Sequence, residues 1–227
     1  MNRLAIFDCD GTLVDSQHNI CAAMDQCFRI SGLAPPPPER TRRIVGLSLV
    51  EAMREMRPDA DESALVAMAE DYKRAFQAMR ANGLEEEPLF AGIEALVEAL
   101  YVEGWLLGVA TGKSDRGLGL CLKHHGIHDR FVTLQTADRH PSKPHPSMIE
   151  AAMAEAGASP ETTLMIGDTS YDIAMARAAG VTPIGVTWGY HDAEDLRRAG
   201  AHHIAGTPGE ILALTKHVPS GDEGTFA

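Results

Sequence analysis

The first residues that could do chemistry are two aspartates directly after an apolar segment near the start of the chain. Asp8 and Asp10 follow the continuous apolar run at residues 4–7 (Leu-Ala-Ile-Phe). A carboxylate stays ionised at neutral pH, so it can act as a nucleophile, exchange a proton or bind a hard cation such as Mg²⁺. Gly11 comes next and permits a tight turn, which would bring both carboxylates within reach of one ligand.

Further polar residues stand at the ends of later apolar runs, and a lysine lies in a loop before a helical segment. In open α/β sheets, ligands bind beyond the carboxyl ends of the strands. Side chains at the ends of parallel strands are therefore expected to meet at one edge of the sheet. The set comprises Thr111 and Gly112 after one run, Asp168 and Asp172 after another, and Lys143 in the loop.

Alternation of apolar runs with helical segments predicts the fold class. Continuous apolar runs are typical of strands buried on both faces of a parallel sheet, and they occupy residues 4–7, 106–110, 163–166 and 183–186. Segments with apolar residues at steps of three and four lie between the later runs. The pattern predicts an α/β protein with a Rossmann-like parallel sheet, flanked by helices and joined by right-handed crossovers.

One stretch breaks this alternation and shows only helical periodicity. Asp61 suits the N-cap of a long helix that residues 82–83 (Asn-Gly) would stop. Ser48 is expected to cap a helix over Leu49–Met56, and a shorter helix is expected around residues 41–45. The stretch is therefore predicted to be an all-helical insertion after the first strand.

These elements divide the chain into a core, an inserted cap and a tail. The core is predicted over residues 1–15 and 86–216, and the helical cap over residues 16–85. The small, polar tail at residues 217–227 is expected to be disordered. The hinges between core and cap are expected at residues 13–17 and 84–88.

Composition and net charge indicate which kinds of protein and of binding partner are expected. The chain has 227 residues, of which 44% are hydrophobic, and a formal net charge of −12, which argues against binding to nucleic acid or an anionic membrane surface. The start of the chain is too acidic for a signal peptide, and no apolar run is long enough to span a bilayer. The four cysteines show no metal-ligand spacing and suit reduced thiols. A soluble, cytoplasmic protein is expected, as a monomer or a dimer.

Four motifs occur in order and resemble those of a known enzyme family. The sequence resembles the haloacid dehalogenase superfamily of phosphohydrolases, in the branch with a helical cap after the first strand. Its overall look is most similar to the phosphoglycolate phosphatase group, over the chain up to about residue 215. The motifs are Asp8-Cys9-Asp10-Gly11-Thr12-Leu13-Val14-Asp15-Ser16, Thr111, Lys143-Pro144 and Gly167-Asp168-Thr169-Ser170-Tyr171-Asp172.

This resemblance implies a Mg²⁺-dependent phosphatase that works through an aspartyl-phosphate. Asp8 would be the nucleophile, and Asp10 would act as general acid and then as general base. Mg²⁺ would be held by the side chains of Asp8 and Asp168 and by the backbone carbonyl of Asp10. Asp172 would bind the ion through water or orient a water. Its alternative role is to cap the helix that follows.

The same resemblance implies a binding site for the transferred phosphate. Lys143 would screen the paired carboxylates and the phosphate group. The Thr111 hydroxyl and the Gly112 amide would donate hydrogen bonds to the phosphate oxygens.

The predicted cap is expected to exclude water and to contact the leaving group. Its turn at residues 42–48 is the part expected to face the site. Arg43 could meet a second anionic group on the substrate, or it could lie on a solvated surface. The expected partner is a small phosphate ester, with phosphoglycolate among the candidates.

Several other activities could use residues of these types. Phosphoglucomutase-like transfer, pyrophosphate hydrolysis and a non-catalytic binding role stay open, whereas Asp10 argues against carbon–halogen hydrolysis because that branch lacks an acid there. A P-loop at residues 112–114 fails because Leu107 stands where a glycine is needed. A cysteine phosphatase built on Cys9 fails because Asp15 stands where an arginine is needed.

Overall fold

The computed structural model describes residues 2–81 and 87–216 and is built around a parallel sheet. The sheet has six strands in the order β3-β2-β1-β4-β5-β6, with every neighbouring pair parallel. The predicted α/β fold class is therefore confirmed. The strands are β1 (Asn2–Phe7), β2 (Leu106–Thr111), β3 (Phe131–Thr136), β4 (Ala158–Gly167), β5 (Thr182–Val186) and β6 (His203–Ala205).

Helices cover both faces of the sheet and fill the segment after β1. They are α1 (Gln17–Ile30), α2 (Pro38–Arg42), α3 (Leu49–Met56), α4 (Glu62–Ala81), α5 (Ile93–Val102), α6 (Asp115–His124), α7 (Ser147–Ala156), α8 (Ser170–Ala179), α9 (Ala193–Ala199) and α10 (Pro208–Thr215). A 3-10 turn at His128–Arg130 precedes β3.

The central strand β1 is apolar throughout its buried part because it is covered on both faces. Ala5 and Phe7 belong to one hydrophobic cluster, which includes residues of α5, α6 and α10. Leu4 and Ile6 belong to another, which includes residues of α7 and α8. β1 lies between β2 and β4, so the residues after it reach the middle of the carboxyl edge of the sheet.

Two strands of the sheet were not predicted. β3 is an edge strand in which Val132 is exposed, whereas the polar residues Thr133 and Gln135 are buried. β6 has only three residues, also at an edge. Neither contains the continuous apolar run that identifies the inner strands.

Helices α1 to α4 form the helical insertion, residues 17–81, which has its own hydrophobic cluster. The Asp61 side chain accepts a hydrogen bond from Ala64 N–H at 2.8 Å, as predicted for the N-cap of α4. α3 has the predicted bounds, but the Ser48 side chain makes no capping hydrogen bond. α2 begins earlier than predicted, with Pro38 at its first position, where the missing N–H costs nothing.

Some predictions fall wholly or partly outside the described residues. These are the helix stop at residues 82–83, most of the hinge at residues 84–88 and the tail at residues 217–227. The proposed division into core and cap stays a prediction. Across the residues that are described, no helix is both long and apolar enough to cross a membrane.

Candidate active site

Asp8 lies at the carboxyl end of β1, in the middle of the sheet edge. Its side chain is fully buried, and Oδ1 accepts hydrogen bonds from Cys9 N–H at 2.7 Å and from Lys143 Nζ at 2.9 Å. Oδ2 has no hydrogen-bond partner among the described residues. A buried carboxylate oxygen without a partner is costly, so this atom is where a ligand would be expected to bind.

Lys143 links the acidic residues that follow β1 and β4. It lies in the loop between β3 and α7, and its Nζ is 2.9 Å from Asp8 Oδ1 and 2.7 Å from Asp172 Oδ1. Burial alone would lower the pKa of Lys143, but the carboxylates of Asp172 and Asp8 raise that pKa above its ordinary value. Lys143 is therefore a buried ammonium group held between two carboxylates.

Asp168 and Asp172 come from the end of β4 and the first turn of α8. The two oxygens of Asp168 accept hydrogen bonds from Thr12 Oγ1 at 2.8 Å and from Tyr190 N–H at 2.9 Å. Asp172 Oδ2 accepts hydrogen bonds from the N–H and the hydroxyl of Thr169 at 3.0 and 2.8 Å, within a capping box of α8. Asp172 thus caps its helix with one oxygen and contacts Lys143 with the other.

Three of the predicted metal ligands lie together. One oxygen from each of Asp8, Asp168 and Asp172 lies within 4.8 Å of the other two, and all three residues are buried. When ionised, these three carboxylates and the Lys143 ammonium carry three negative charges and one positive, a formal charge of −2. Burial raises the pKa of Asp8 to about 7 and holds the pKa of Asp168 well above its ordinary value. An oxygen-rich site with this excess charge fits a divalent cation such as Mg²⁺.

The Asp10 side chain points to a different set of partners. Its Oδ1 accepts a hydrogen bond from Ser16 Oγ and lies 2.7 Å from Lys113 Nζ. Lys113 Nζ also lies 3.2 Å from Glu87 Oε1. The Asp10 carboxylate is therefore held by a hydroxyl and an ammonium group, separate from the three-carboxylate cluster.

Lys113 was not predicted as a site residue. Its signal was present, because it stands two residues after Thr111 at the end of a predicted strand. Lys113 follows Thr111 and Gly112 at the end of that strand, but the sequence predicted no role for it. Its side chain is 11% exposed, and the ion pairs with Asp10 and Glu87 place it beside the candidate general acid.

The strand β2 brings Thr111 and Gly112 to the same edge of the sheet. Thr111 is buried, and its Oγ1 accepts a hydrogen bond from Lys113 N–H at 3.2 Å. Gly112 lies under the helical insertion: a Cβ added there would be 2.6 Å from the Leu47 carbonyl oxygen and 2.9 Å from that of Gly46. The insertion therefore approaches this glycine more closely than any side chain would allow.

Replacing Gly112 by Ala should lower kcat/KM for a phosphate ester about tenfold or more, because the added methyl group would displace the insertion from the site. Steady-state kinetics would measure the effect. Gly119→Ala on α6 is the matched control, since a Cβ at Gly119 meets nothing within 4 Å. That control should keep its activity and gain up to ~1 kcal/mol of stability. Equal kcat/KM in both variants would contradict the argument.

The predicted turn at residues 42–48 does face the core. The Arg43 carbonyl oxygen accepts hydrogen bonds from Tyr171 Oη at 3.3 Å and from His191 Nε2 at 3.2 Å. Ser48 N–H donates to Ser142 Oγ at 2.8 Å. The contacts close the insertion over the carboxyl edge of the sheet.

The Arg43 side chain lies away from the buried cluster. The side chain is 68% exposed, and its Nη1 lies 3.5 Å from Asp195 Oδ2. The predicted role of Arg43 in binding a second anionic group stays a prediction, and in this arrangement the side chain follows the alternative of a solvated surface.

A cavity of about 370 Å³ lies between the helical insertion and the core. We call it the Asp10 cavity, because Asp10, Gly112 and Lys113 line its core side. Its other walls come mainly from α1, α3, α4 and the turn before α3. Pockets that bind small molecules commonly have volumes of about 300–1,000 Å³, so the cavity is large enough for part of a substrate.

The sequence profile of the haloacid dehalogenase-like hydrolases matches residues 5–186 of this chain. The chain belongs to this family. The match includes all four motifs around the cluster, so the resemblance predicted from them is confirmed.

Two curated relatives of this haloacid dehalogenase-like hydrolase and one similar crystal structure carry phosphatase names. A probable phosphatase IndB of Dickeya dadantii is 35% identical over 219 residues, covering 93% of each chain. A phosphoglycolate phosphatase of Pseudomonas putida is 31% identical and covers 83% of this chain and 71% of its own length. The crystal structure of a predicted phosphatase from Clostridium acetobutylicum superposes with a TM-score of 0.85 at 27% identity, covering 94% of this chain and 98% of that one. The prediction of a phosphatase-type enzyme of this family is thereby confirmed.

Proposed function

We propose that the protein is a Mg²⁺-dependent phosphatase that hydrolyses a small phosphate monoester through an aspartyl-phosphate on Asp8. The observation that carries the proposal is the buried Oδ2 of Asp8, which has no hydrogen-bond partner among residues 2–81 and 87–216 and lies in a cluster of three carboxylates and one lysine. The Asp8 and Asp168 side chains and the Asp10 backbone carbonyl would hold Mg²⁺, with Asp172 acting through water. A cation bound at these oxygens would neutralise negative charge on the phosphate and on the nucleophile.

The proposed reaction runs in two steps on the side chains of the site. In the first, a carboxylate oxygen of Asp8 attacks phosphorus and the bond from phosphorus to the leaving oxygen breaks, while Asp10 gives that oxygen a proton. In the second, Asp10 takes a proton from water, whose oxygen attacks phosphorus. The phosphorus–Asp8 bond then breaks, which releases inorganic phosphate and restores the enzyme.

Other residues bind the phosphate and hold the catalytic groups in place. Lys143, with the Thr111 hydroxyl and the Gly112 amide, would contact the phosphate oxygens and offset their charge. Lys113 would orient the Asp10 carboxylate, which lies 2.7 Å from its Nζ. The helical insertion would act as the cap that excludes water while the aspartyl-phosphate exists.

The proposed partner is a small molecule, and the proposed location is the cytoplasm. The net charge of −12 gives no support for binding nucleic acid or an anionic membrane. The free cysteines Cys9, Cys21, Cys27 and Cys121 suit a reducing compartment.

Phosphate release from a panel of phosphate esters and anhydrides tests the proposal. Acetyl phosphate, phosphoglycolate, pyrophosphate and glucose 1-phosphate would be incubated with the protein and Mg²⁺, with phosphorus NMR to follow every product. Inorganic phosphate without glucose 6-phosphate is expected. Glucose 6-phosphate without net phosphate release would favour the mutase, and no turnover of any compound would refute the phosphatase.

A further inference from the structure

The Asp10 cavity begins where the leaving group of the proposed reaction would emerge. Asp10, the candidate proton donor to the leaving oxygen, lines the cavity, as does Gly112 of the candidate phosphate site. A phosphate ester held at Asp8 would therefore direct its organic part into this space. The chemistry of the walls then indicates which organic part fits.

The walls contributed by the helical insertion are mostly apolar. Tyr72 and Phe76 stack with their ring centroids 6.0 Å apart and an interplanar angle of 30°. Aromatic faces of this kind favour contact with another ring or an alkyl chain. The apolar residues that line the cavity include Ile20, Met24, Val45, Leu49, Tyr72 and Phe76.

The buried charges at the cavity leave little attraction for an anion. Lys113 lies 2.7 Å from Asp10 and 3.2 Å from Glu87, so one ammonium group faces two carboxylates. Among the described residues, two further cations line the cavity: Lys73, whose Nζ lies 2.7 Å from Glu70 Oε1, and Arg116, which is exposed. A carboxylate deep in the cavity would lose its water among mostly apolar walls, where the buried ammonium group of Lys113 is already paired with Asp10 and Glu87.

We propose that the leaving group is an uncharged, largely apolar alcohol, of the size of an aromatic ring, and that glycolate and sugars fit less well. This inference rests on the proposed phosphatase function. An aryl or alkyl group would bury apolar surface against the walls, whereas the hydroxyls of a sugar would give up hydrogen bonds with water there. The acid of phosphoglycolate would suffer the larger desolvation cost.

The test compares esters of similar intrinsic reactivity. 2-Phenylethyl phosphate, phosphoglycolate and glycerol 3-phosphate are all esters of alkyl alcohols, so their kcat/KM values report chiefly on the fit of the leaving group. We expect 2-phenylethyl phosphate to exceed the other two by at least tenfold. A higher value for phosphoglycolate or glycerol 3-phosphate, or equal values, would overturn the inference.

A binding experiment tests this inference independently of the proposed reaction. 3-Phenylpropylphosphonate and 3-phosphonopropionate mimic the first two esters and cannot be hydrolysed. Calorimetry in Mg²⁺ should give tighter binding, by at least tenfold, for the phenyl compound. If acetyl phosphate is not hydrolysed, the proposed phosphatase function is refuted. The phosphonate affinities would still show whether the cavity prefers an apolar group to a carboxylate.

A charge introduced into the cavity provides the matched test. Leu49→Lys should lower the ratio of kcat/KM for 2-phenylethyl phosphate to that for phosphoglycolate at least tenfold, because it places a cation in the apolar wall. Val66→Lys is the control, since Val66 is 44% exposed on α4 and is not among the residues lining the cavity. Far-ultraviolet circular dichroism and the melting temperature report correct folding of both variants, and Val66→Lys should keep the ratio of the parent. An unchanged ratio in Leu49→Lys would overturn the inference.

Discussion

Replacing Asp8 by Asn should abolish phosphate release while leaving the fold intact. The amide has nearly the shape of the carboxylate but cannot form the proposed aspartyl-phosphate. We expect the rate with acetyl phosphate to fall at least about 1,000-fold, which corresponds to about 4 kcal/mol in activation free energy. Release of inorganic phosphate over hours would measure the residual rate.

The fold should survive this substitution because of the charge balance of the cluster. The amide would remove one negative charge from a buried group that carries a formal charge of −2, while Lys143 keeps its contact with Asp172 at 2.7 Å. The melting temperature of the metal-free variant should therefore be no lower than that of the parent. Asp25→Asn on the exposed part of α1 is the control and should keep full activity, since Asp25 pairs only with Arg29 among the described residues. Substantial turnover by the Asp8 variant would refute the nucleophile assignment.

Removal of divalent cations should stop the reaction, and added Mg²⁺ should restore it. Without a cation, the ionised carboxylates of Asp8 and Asp168 would repel each other and the incoming phosphate. Burial raises the pKa of both residues, so it would favour their protonated forms instead. EDTA should lower kcat/KM by at least about 100-fold, about 2.7 kcal/mol in activation free energy. EDTA saturated with Mg²⁺ beforehand is the control. Indifference to both treatments would overturn the metal assignment.

The same cluster gives the metal effect a pH dependence with a definite sign. Burial raises the pKa of Asp8 to about 7, although the Lys143 ammonium partly opposes the shift. In the metal-free protein, this carboxyl favours folding below its unfolded pKa, and that contribution is lost as the pH rises through 7. Mg²⁺ binds the deprotonated form, so its addition should raise the melting temperature more at pH 8 than at pH 6. Scanning calorimetry at both values would check this, and an equal or smaller rise at pH 8 would contradict it.

The inner strands and the clustered acids were predictable from sequence because each depends on local pattern. β1, β2, β4 and β5 contain continuous apolar runs, and chemistry-bearing residues follow three of them. The edge strand β3 was not predictable in this way, since its buried face includes the polar residues Thr133 and Gln135. Periodicity cannot separate such a strand from a loop.

The environment of Asp10 required the three-dimensional structure. The ion pairs of Lys113 with Asp10 and Glu87 join residues from both sides of the helical insertion and from the end of β2. The local sequence does not predict these ion pairs, because they depend on how the chain returns from the insertion to the core. The exposed position of the Arg43 side chain was equally beyond a sequence argument, since a residue directly after α2 could also have faced the core.

Closure of the insertion over the sheet relies heavily on main-chain atoms. The Arg43 carbonyl, the Leu47 carbonyl above Gly112 and the Ser48 N–H all meet the core without using their own side chains. Backbone groups are the same whatever residue carries them, so these three contacts do not depend on the side chains at positions 43, 47 and 48. Cavity residues could thus change in descendants of this chain, and the preferred ligand with them, while the main-chain contacts that hold the insertion over Asp8 stay the same.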